Sequence, residues 1–263
     1  MNIACCQFDM AWEDKRANFA AVRRLIEKTE FPTEGAGEPT LLLLPEMFAT
    51  GFSMNVAGVA EERRGETERF LAEIANDRGI YVLGGVVTRT AAGKGLNEAV
   101  LIGPDGEELI RYAKMHPYAP AGEAECYEEG LGPAMAAVGP FFAAPFICYD
   151  LRFPELFRAG VLGGADLFVG IASWPSPREE HWVTLLRARA IENQAFVAAV
   201  NRCGRDPHHD YPGRSLIVSP AGEVLADGGA GEGIVQARID REDLLAYRAK
   251  LPFLNDVRAR IEF

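Results

Sequence analysis

Apolar and polar positions alternate along this chain between two periods. Apolar runs of strand length, NIACCQF, TLLLLPE and IYVLGGVVT, are separated by segments in which apolar residues recur three or four positions apart. Lys15 to Lys28 carries Phe19, Val22 and Ile26 at helical spacing, and Glu61 to Arg78 predicts a second helix. LNEAVLIGPDGEELIRYAK reads as two strands joined at the turn Pro104-Asp105-Gly106 and closing at Lys114. After a loop rich in Glu, Pro and Gly, a β segment runs into FICYD. Asp166 to Ile171, Phe196 to Asn201 and Ser215 to Val218 supply further short strands, with a charged helix from Arg178 to Asn193 between two of them. Pro220-Ala221-Gly222 sits between SLIVS and EVLAD as Pro104-Asp105-Gly106 sits between its own strands, so the two halves look alike. Crossovers mixed with hairpins imply mixed sheets. Two such sheets packed face to face with helices outside give an α/β fold, a four-layer αββα sandwich.

A length of 263 residues and 48% hydrophobic content suit one large domain over 1–263 better than two small ones. The net charge of -11 is spread along the chain without a basic patch, which argues against nucleic acid or an anionic membrane as partner. MNIACCQF lacks the regions of a secretory signal, and no apolar run nears the roughly 20 residues that span a bilayer, so a soluble cytoplasmic protein is expected. The five cysteines are an odd number at irregular positions, without CxxC pairs or histidines at metal-ligand spacing. Reduced thiols are therefore expected, with no metal and no cofactor.

Three segments stop abruptly at a reactive residue: LLLLPE at Glu46, IRYAK at Lys114 and FIC at Cys148. Strand ends are where layered α/β folds place their sites, because the sheet fixes the backbone while the side chain faces open space. Together the three make a nucleophile, a base and an electrostatic stabiliser. A free thiol is only a few per cent thiolate at neutral pH, so an attacking Cys148 needs an acceptor for its proton, and Glu46 can supply one. Lys114 would neutralise a growing oxyanion, with the backbone N–H of Tyr149 as a second donor. Cys5 and Cys6 lie in an apolar strand, Cys203 follows another, and Cys126 sits in an acidic loop that disfavours a thiolate, so none of these competes with Cys148.

LLLLPEMFATGFSM, YAKMHPY, ICYDLRFPE, SWPSPREEHW, RARAIENQAFVAAVNRCG and GRSLIVSPAGEVL resemble, in this order, the signature stretches of the nitrilase superfamily of carbon–nitrogen hydrolases. The resemblance covers nearly the whole chain. It implies a Glu46-Lys114-Cys148 triad in an αββα sandwich that forms a homodimer or a higher homo-oligomer, with KLPFLNDVRARIEF contributing to that contact or capping the sheet. It also implies a second glutamate that orients the lysine and the attacking water, and Glu123 is the candidate among Glu123, Glu125, Glu128 and Glu129.

PEMFATGFSM, CYDLRFPE and SWPSPREEHW look most like the omega-amidase branch, which implies a small 2-oxo acid amide, 2-oxoglutaramate or 2-oxosuccinamate, as substrate. That branch needs a carboxylate binder. Arg152, close after Cys148, suits bidentate capture, the alternative being a salt bridge with Asp150 or Glu155. Phe52, Tyr118 and Trp174 are candidates to line the pocket, while Trp182 is given no role. His116, two residues beyond Lys114, would share its face in a strand and reads as a hydrogen-bonded structural group. The competing functions are a nitrilase or N-carbamoyl hydrolase using the same triad, and a non-catalytic binding protein of the same fold with a redox-responsive thiol.

Overall fold

The computed structural model describes residues 1–31 and 38–258; the last five residues of the KLPFLNDVRARIEF segment lie outside the described residues. The chain opens with β1 (Asn2–Gln7), α1 (Lys15–Glu27) and β2 (Thr40–Leu43), then α2 (Val56–Val59), α3 (Glu66–Arg78), β3 (Tyr81–Arg89), β4 (Gly95–Ile102), β5 (Glu108–Ala113) and α4 (Glu123–Cys126). β6 (Ala136–Val138), β7 (Phe141–Ile147), α5 (Pro154–Leu162), β8 (Leu167–Ala172), α6 (Glu179–Asn193) and β9 (Phe196–Asn201) follow. The rest is β10 (Cys203–Arg205), β11 (Asp210–Pro212), β12 (Leu216–Val218), β13 (Val224–Asp227), β14 (Gly233–Arg238) and α7 (Arg241–Lys250).

Two six-stranded mixed sheets result, ordered β14-β1-β2-β3-β4-β5 and β13-β12-β9-β8-β7-β6. β1, β2 and β3 run parallel, as do β7, β8 and β9, and antiparallel strands flank each trio. The likeness of the halves is thus a likeness of whole sheets. Side chains point alternately to the two faces, and both faces of β1 and β2 are buried, so Ile3 to Cys6 and Leu41 to Leu43 are apolar without a break. Ile3, Cys5, Leu41 and Leu43 join the core shared with the second sheet, which contributes Ile147, Val169 and Ile171. Ala4, Cys6, Leu42 and Leu44 pack on the other face beneath Val22 and Ile26 of α1 and Phe70, Leu71 and Ile74 of α3. On the far side Phe157 of α5 stands against Phe146 and Phe168 at ring-centroid distances of 5.0 Å each. The αββα sandwich expected from the pattern is the observed architecture.

The helix expected from Glu61 begins instead at Glu66. Glu61 makes a bridge to Thr88, and its carboxylate accepts the Thr67 N–H (3.0 Å) and hydroxyl (2.7 Å), satisfying an orphan donor of the first turn from outside the helix. β10 and β11 form a separate two-stranded hairpin that the apolar pattern does not show.

Candidate active site

The candidate residues come from turns that leave the sheets at one end. β2 stops at Leu43, and Glu46 follows three residues later, just before Met47 in the left-handed region (φ 47°). Lys114 follows β5, its N–H donating to the Asn97 carbonyl (2.8 Å). Cys148 follows β7 with φ 45°, a conformation costly for a non-glycine residue and held by the structure around it. The buried Asp150 carboxylate accepts the Ile147 N–H (3.0 Å), the Tyr112 hydroxyl (2.7 Å) and the His116 N–H (3.0 Å), and lies 2.8 Å from His116 Nδ1. Arg189 of α6 donates twice to the Leu151 carbonyl, at 3.1 and 2.8 Å. The turn bearing Cys148 is pinned from both sides.

Lys114 and both glutamates are at most 1% exposed, so their charges must be settled among themselves. Lys114 Nζ lies 2.9 Å from Glu46 Oε1 and 2.8 Å from Glu123 Oε2. Asn97 Nδ2 donates to Oε1 of both carboxylates at 2.8 Å, and the Ser173 N–H donates to Glu46 Oε2 at 2.9 Å. The Tyr118 N–H donates to Glu123. Two carboxylates face one ammonium. Burial alone would lower the Lys114 pKa, but Glu123 and Glu46 outweigh it and hold the ammonium above its ordinary value. Burial pushes the Cys148 thiol well up and Glu46 pushes it further, against the opposing pull of Lys114 and the Ser173 amide. The resting pair is therefore a neutral thiol beside a carboxylate that can take its proton, an arrangement suited to nucleophilic attack on a carbonyl.

Cys148 is partly exposed in a cleft enclosing about 430 Å³ that is also lined by Phe52, Tyr118, Tyr149, Arg152 and Trp174. The Phe52 ring centre is 5.2 Å from Lys114 Nζ, and Tyr118 meets Tyr149 edge-on at 4.9 Å. The Arg152 guanidinium lies 4.7 Å from the Trp174 ring centre, with Nη2 3.3 Å from His181 Nδ1. The alternative salt bridge of Arg152 to Asp150 is not formed, because Asp150 is committed to the turn and to His116. His116 does not share a face with Lys114: the strand has ended, Lys114 turns to the glutamates, and the imidazole turns to Asp150 and stacks on Phe153 at 3.7 Å. Trp182 is core, its indole N–H donating to the Arg214 carbonyl.

Asn97 and Ser173 escaped the sequence reading, as did Arg178, His209 and Tyr211 on the cleft wall, and Asp150 entered it only as a partner for Arg152 and not as the anchor of the turn. Asn97 alone carried a signal, a polar residue inside the apolar strand LNEAVLI. Cys5, Cys6 and Cys203 are buried, and burial pushes the Cys203 thiol up to about 11. Among the described residues no cluster of His, Cys, Asp and Glu could hold a metal ion, and no helix is long and apolar enough to cross a membrane.

A family model for carbon-nitrogen hydrolase matches residues 2–249. The 2-oxoglutaramate amidase of Bacillus subtilis is 34% identical over 257 residues, 97% of each chain. Omega-amidase YafV of Yersinia enterocolitica is 35% identical over 259 residues, 97% of this chain and 96% of its own. A solved CN-hydrolase superfamily protein from Xanthomonas campestris superposes with a TM-score of 0.91 at 31% identity, covering 100% of this chain and 99% of that one. By family model, relatives and fold alike, the chain belongs to the carbon-nitrogen hydrolase family, and it is a hydrolase acting on carbon–nitrogen bonds of non-peptide amides.

Proposed function

We propose that this chain hydrolyses the terminal amide of a small omega-amide acid, 2-oxoglutaramate or 2-oxosuccinamate, to the 2-oxo dicarboxylic acid and ammonia through a thioester on Cys148. The observation that carries the reading is the meeting of Glu46, Lys114 and Cys148 at one end of a cleft that also presents the Arg152 guanidinium. The names of the relatives, 2-oxoglutaramate amidase and omega-amidase, support it.

The amide carbonyl enters with its carbon over Sγ. As sulfur attacks, its proton passes to Glu46, and the oxyanion forms against the Lys114 ammonium and the Tyr149 N–H. Collapse breaks the C–N bond as Glu46 returns the proton to nitrogen, releasing ammonia and leaving the thioester. Water then attacks the thioester carbonyl, Glu46 takes its proton, and collapse restores the thiol and frees the carboxylic acid. Glu123 holds the lysine with a second carboxylate and helps to orient that water. Arg152 takes the substrate carboxylate in a bidentate pair, while Phe52, Tyr118 and Trp174 wall off the chain between.

Ammonia release from 2-oxoglutaramate should be abolished in Cys148→Ala and Cys148→Ser; retained release would sink the proposal. A nitrile and an N-carbamoyl acid in the same panel should be poor substrates, and a preference for either would reassign the triad to that chemistry.

A further inference from the structure

Arg178, at the turn before α6, lines the same cleft as Cys148 and Arg152. Both arginines are partly exposed, and among the described residues neither is paired with a carboxylate, although the chain carries 38 acidic residues against 27 basic ones. Several other arginines, Arg89, Arg158, Arg187 and Arg248, donate to backbone carbonyls, and others are held by carboxylates. Arg111 is held by Glu68, Glu98 and Glu108, and Arg214 by Glu179 and Asp227. The two cleft arginines are instead held by aromatic faces: Arg152 lies 4.7 Å from the Trp174 ring centre, and Arg178 5.6 Å from that of Tyr118. Trp174 ties them together, because its indole N–H donates to the Arg178 carbonyl at 2.7 Å while its face carries Arg152. Aromatic faces position a guanidinium without using up its donors.

We infer that Arg178 is a specificity-determining residue, the second guanidinium of an anion clamp with Arg152 that selects omega-amides bearing a 2-oxo carboxylate over those bearing a 2-ammonium group. A 2-oxo carboxylate offers three oxygens close to one plane. One guanidinium fork takes the carboxylate, and the other takes a carboxylate oxygen and the keto oxygen. An ammonium on C2 would face two like charges and leave donors unmatched, which makes glutamine a poor ligand despite its identical amide end. The opposite end sorts charge the other way, since Glu46 and Glu123 outnumber Lys114 and favour a neutral amide over the carboxylate it becomes. This inference rests on the amidase reading.

The test is the steady-state kinetics of wild type, Arg178→Gln and Arg178→Lys with 2-oxoglutaramate, glutamine and neutral butyramide. In Arg178→Gln the KM for 2-oxoglutaramate should rise roughly ten- to a hundredfold, the range for losing a hydrogen bond to a charged group, with a smaller change in kcat. The preference for 2-oxoglutaramate over glutamine, and over butyramide, should narrow by a similar factor. Arg178→Lys, which keeps the charge and loses the fork, should fall between. An unchanged KM for 2-oxoglutaramate in both variants would overturn the clamp, as would an equal proportional loss on butyramide, which reports a damaged fold. Wild type that releases ammonia from none of these amides would overturn the amidase reading itself, and the clamp with it.

Discussion

Lys114 is the residue on which the charge balance of the site turns. Three buried ionisable groups touch, and removing the cation leaves Glu46 and Glu123 bridged by Asn97 alone. Lys114→Met should cost about 3–5 kcal/mol of stability in chemical denaturation at neutral pH. Part of that loss should return on acidification: the paired carboxylates of the variant disfavour each other's charge, so its folded form takes up a proton that the unfolded chain does not, and stability rises as pH falls. Loss without recovery at acid pH would show that the lysine acts by packing. For Cys148, burial and Glu46 raise the thiol, so the reactive form is thiol with carboxylate. The rate of the amidase reaction should then stay level from roughly pH 7 to 9, where an unassisted cysteine would gain thiolate. A rise that follows thiolate absorbance would contradict it. Glu46→Gln, which keeps size and loses the base, should lower kcat/KM roughly a hundred- to ten-thousandfold. At this scale the three strand-end residues stood out in the sequence, because each closes an apolar run. Arg178 and Ser173 did not, because their closeness to Cys148 comes from the parallel pairing of β7 with β8, which sets segments distant in sequence side by side.

The elements explain which of these side chains are fixed most firmly. Gly85 in β3 lies against the turn carrying Glu46: a Cβ there would stand 2.7 Å from the Pro45 carbonyl oxygen and 2.8 Å from Glu46 Cα. These are backbone atoms and cannot swing aside. Gly85→Ala should therefore lower the melting temperature, costing about 1–3 kcal/mol, and reduce kcat/KM together, because the strain falls on the candidate base. A variant that loses stability and keeps full activity would show that the turn yields without moving Glu46. Strands and hairpins were legible since their period and their Pro-x-Gly turns are local signals. The start of α3 was not, because Glu61 acts on that helix from outside it. The β10–β11 hairpin was hidden as well. CGRDPHHDYP lacks apolar alternation, and its place depends on the buried Arg202, which holds the Arg205 carbonyl and the Tyr211 ring of the hairpin and ties them to Asp9 and the Met10 carbonyl in a distant part of the chain.

Across the whole molecule, the candidate site belongs to neither sheet alone. Glu46, Asn97 and Lys114 come from the first, Cys148 and Ser173 from the second, and the core between the sheets sets their distances. Activity should thus be lost in the same cooperative step as the fold: in a urea titration, hydrolysis and the fluorescence of the buried Trp174 and Trp182 should fall at one midpoint. Activity vanishing at clearly lower urea would mean that the site opens before the core melts.

The matching strand orders of the two sheets have a consequence of their own. By place in its sheet, β1 corresponds to β7 and β2 to β8, so Ser173 beyond β8 is the counterpart of Glu46 beyond β2, and the two touch. The counterpart of Cys148 is then Gln7 at the end of β1. It is sealed: its amide donates to the Gly229 and Gly231 carbonyls and accepts from the N–H and hydroxyl of Ser215. A framework built twice over has kept one of its two mouths open to solvent and stitched the other shut, so the asymmetry that makes room for a substrate lies in what covers the strand ends and not in the order of the strands.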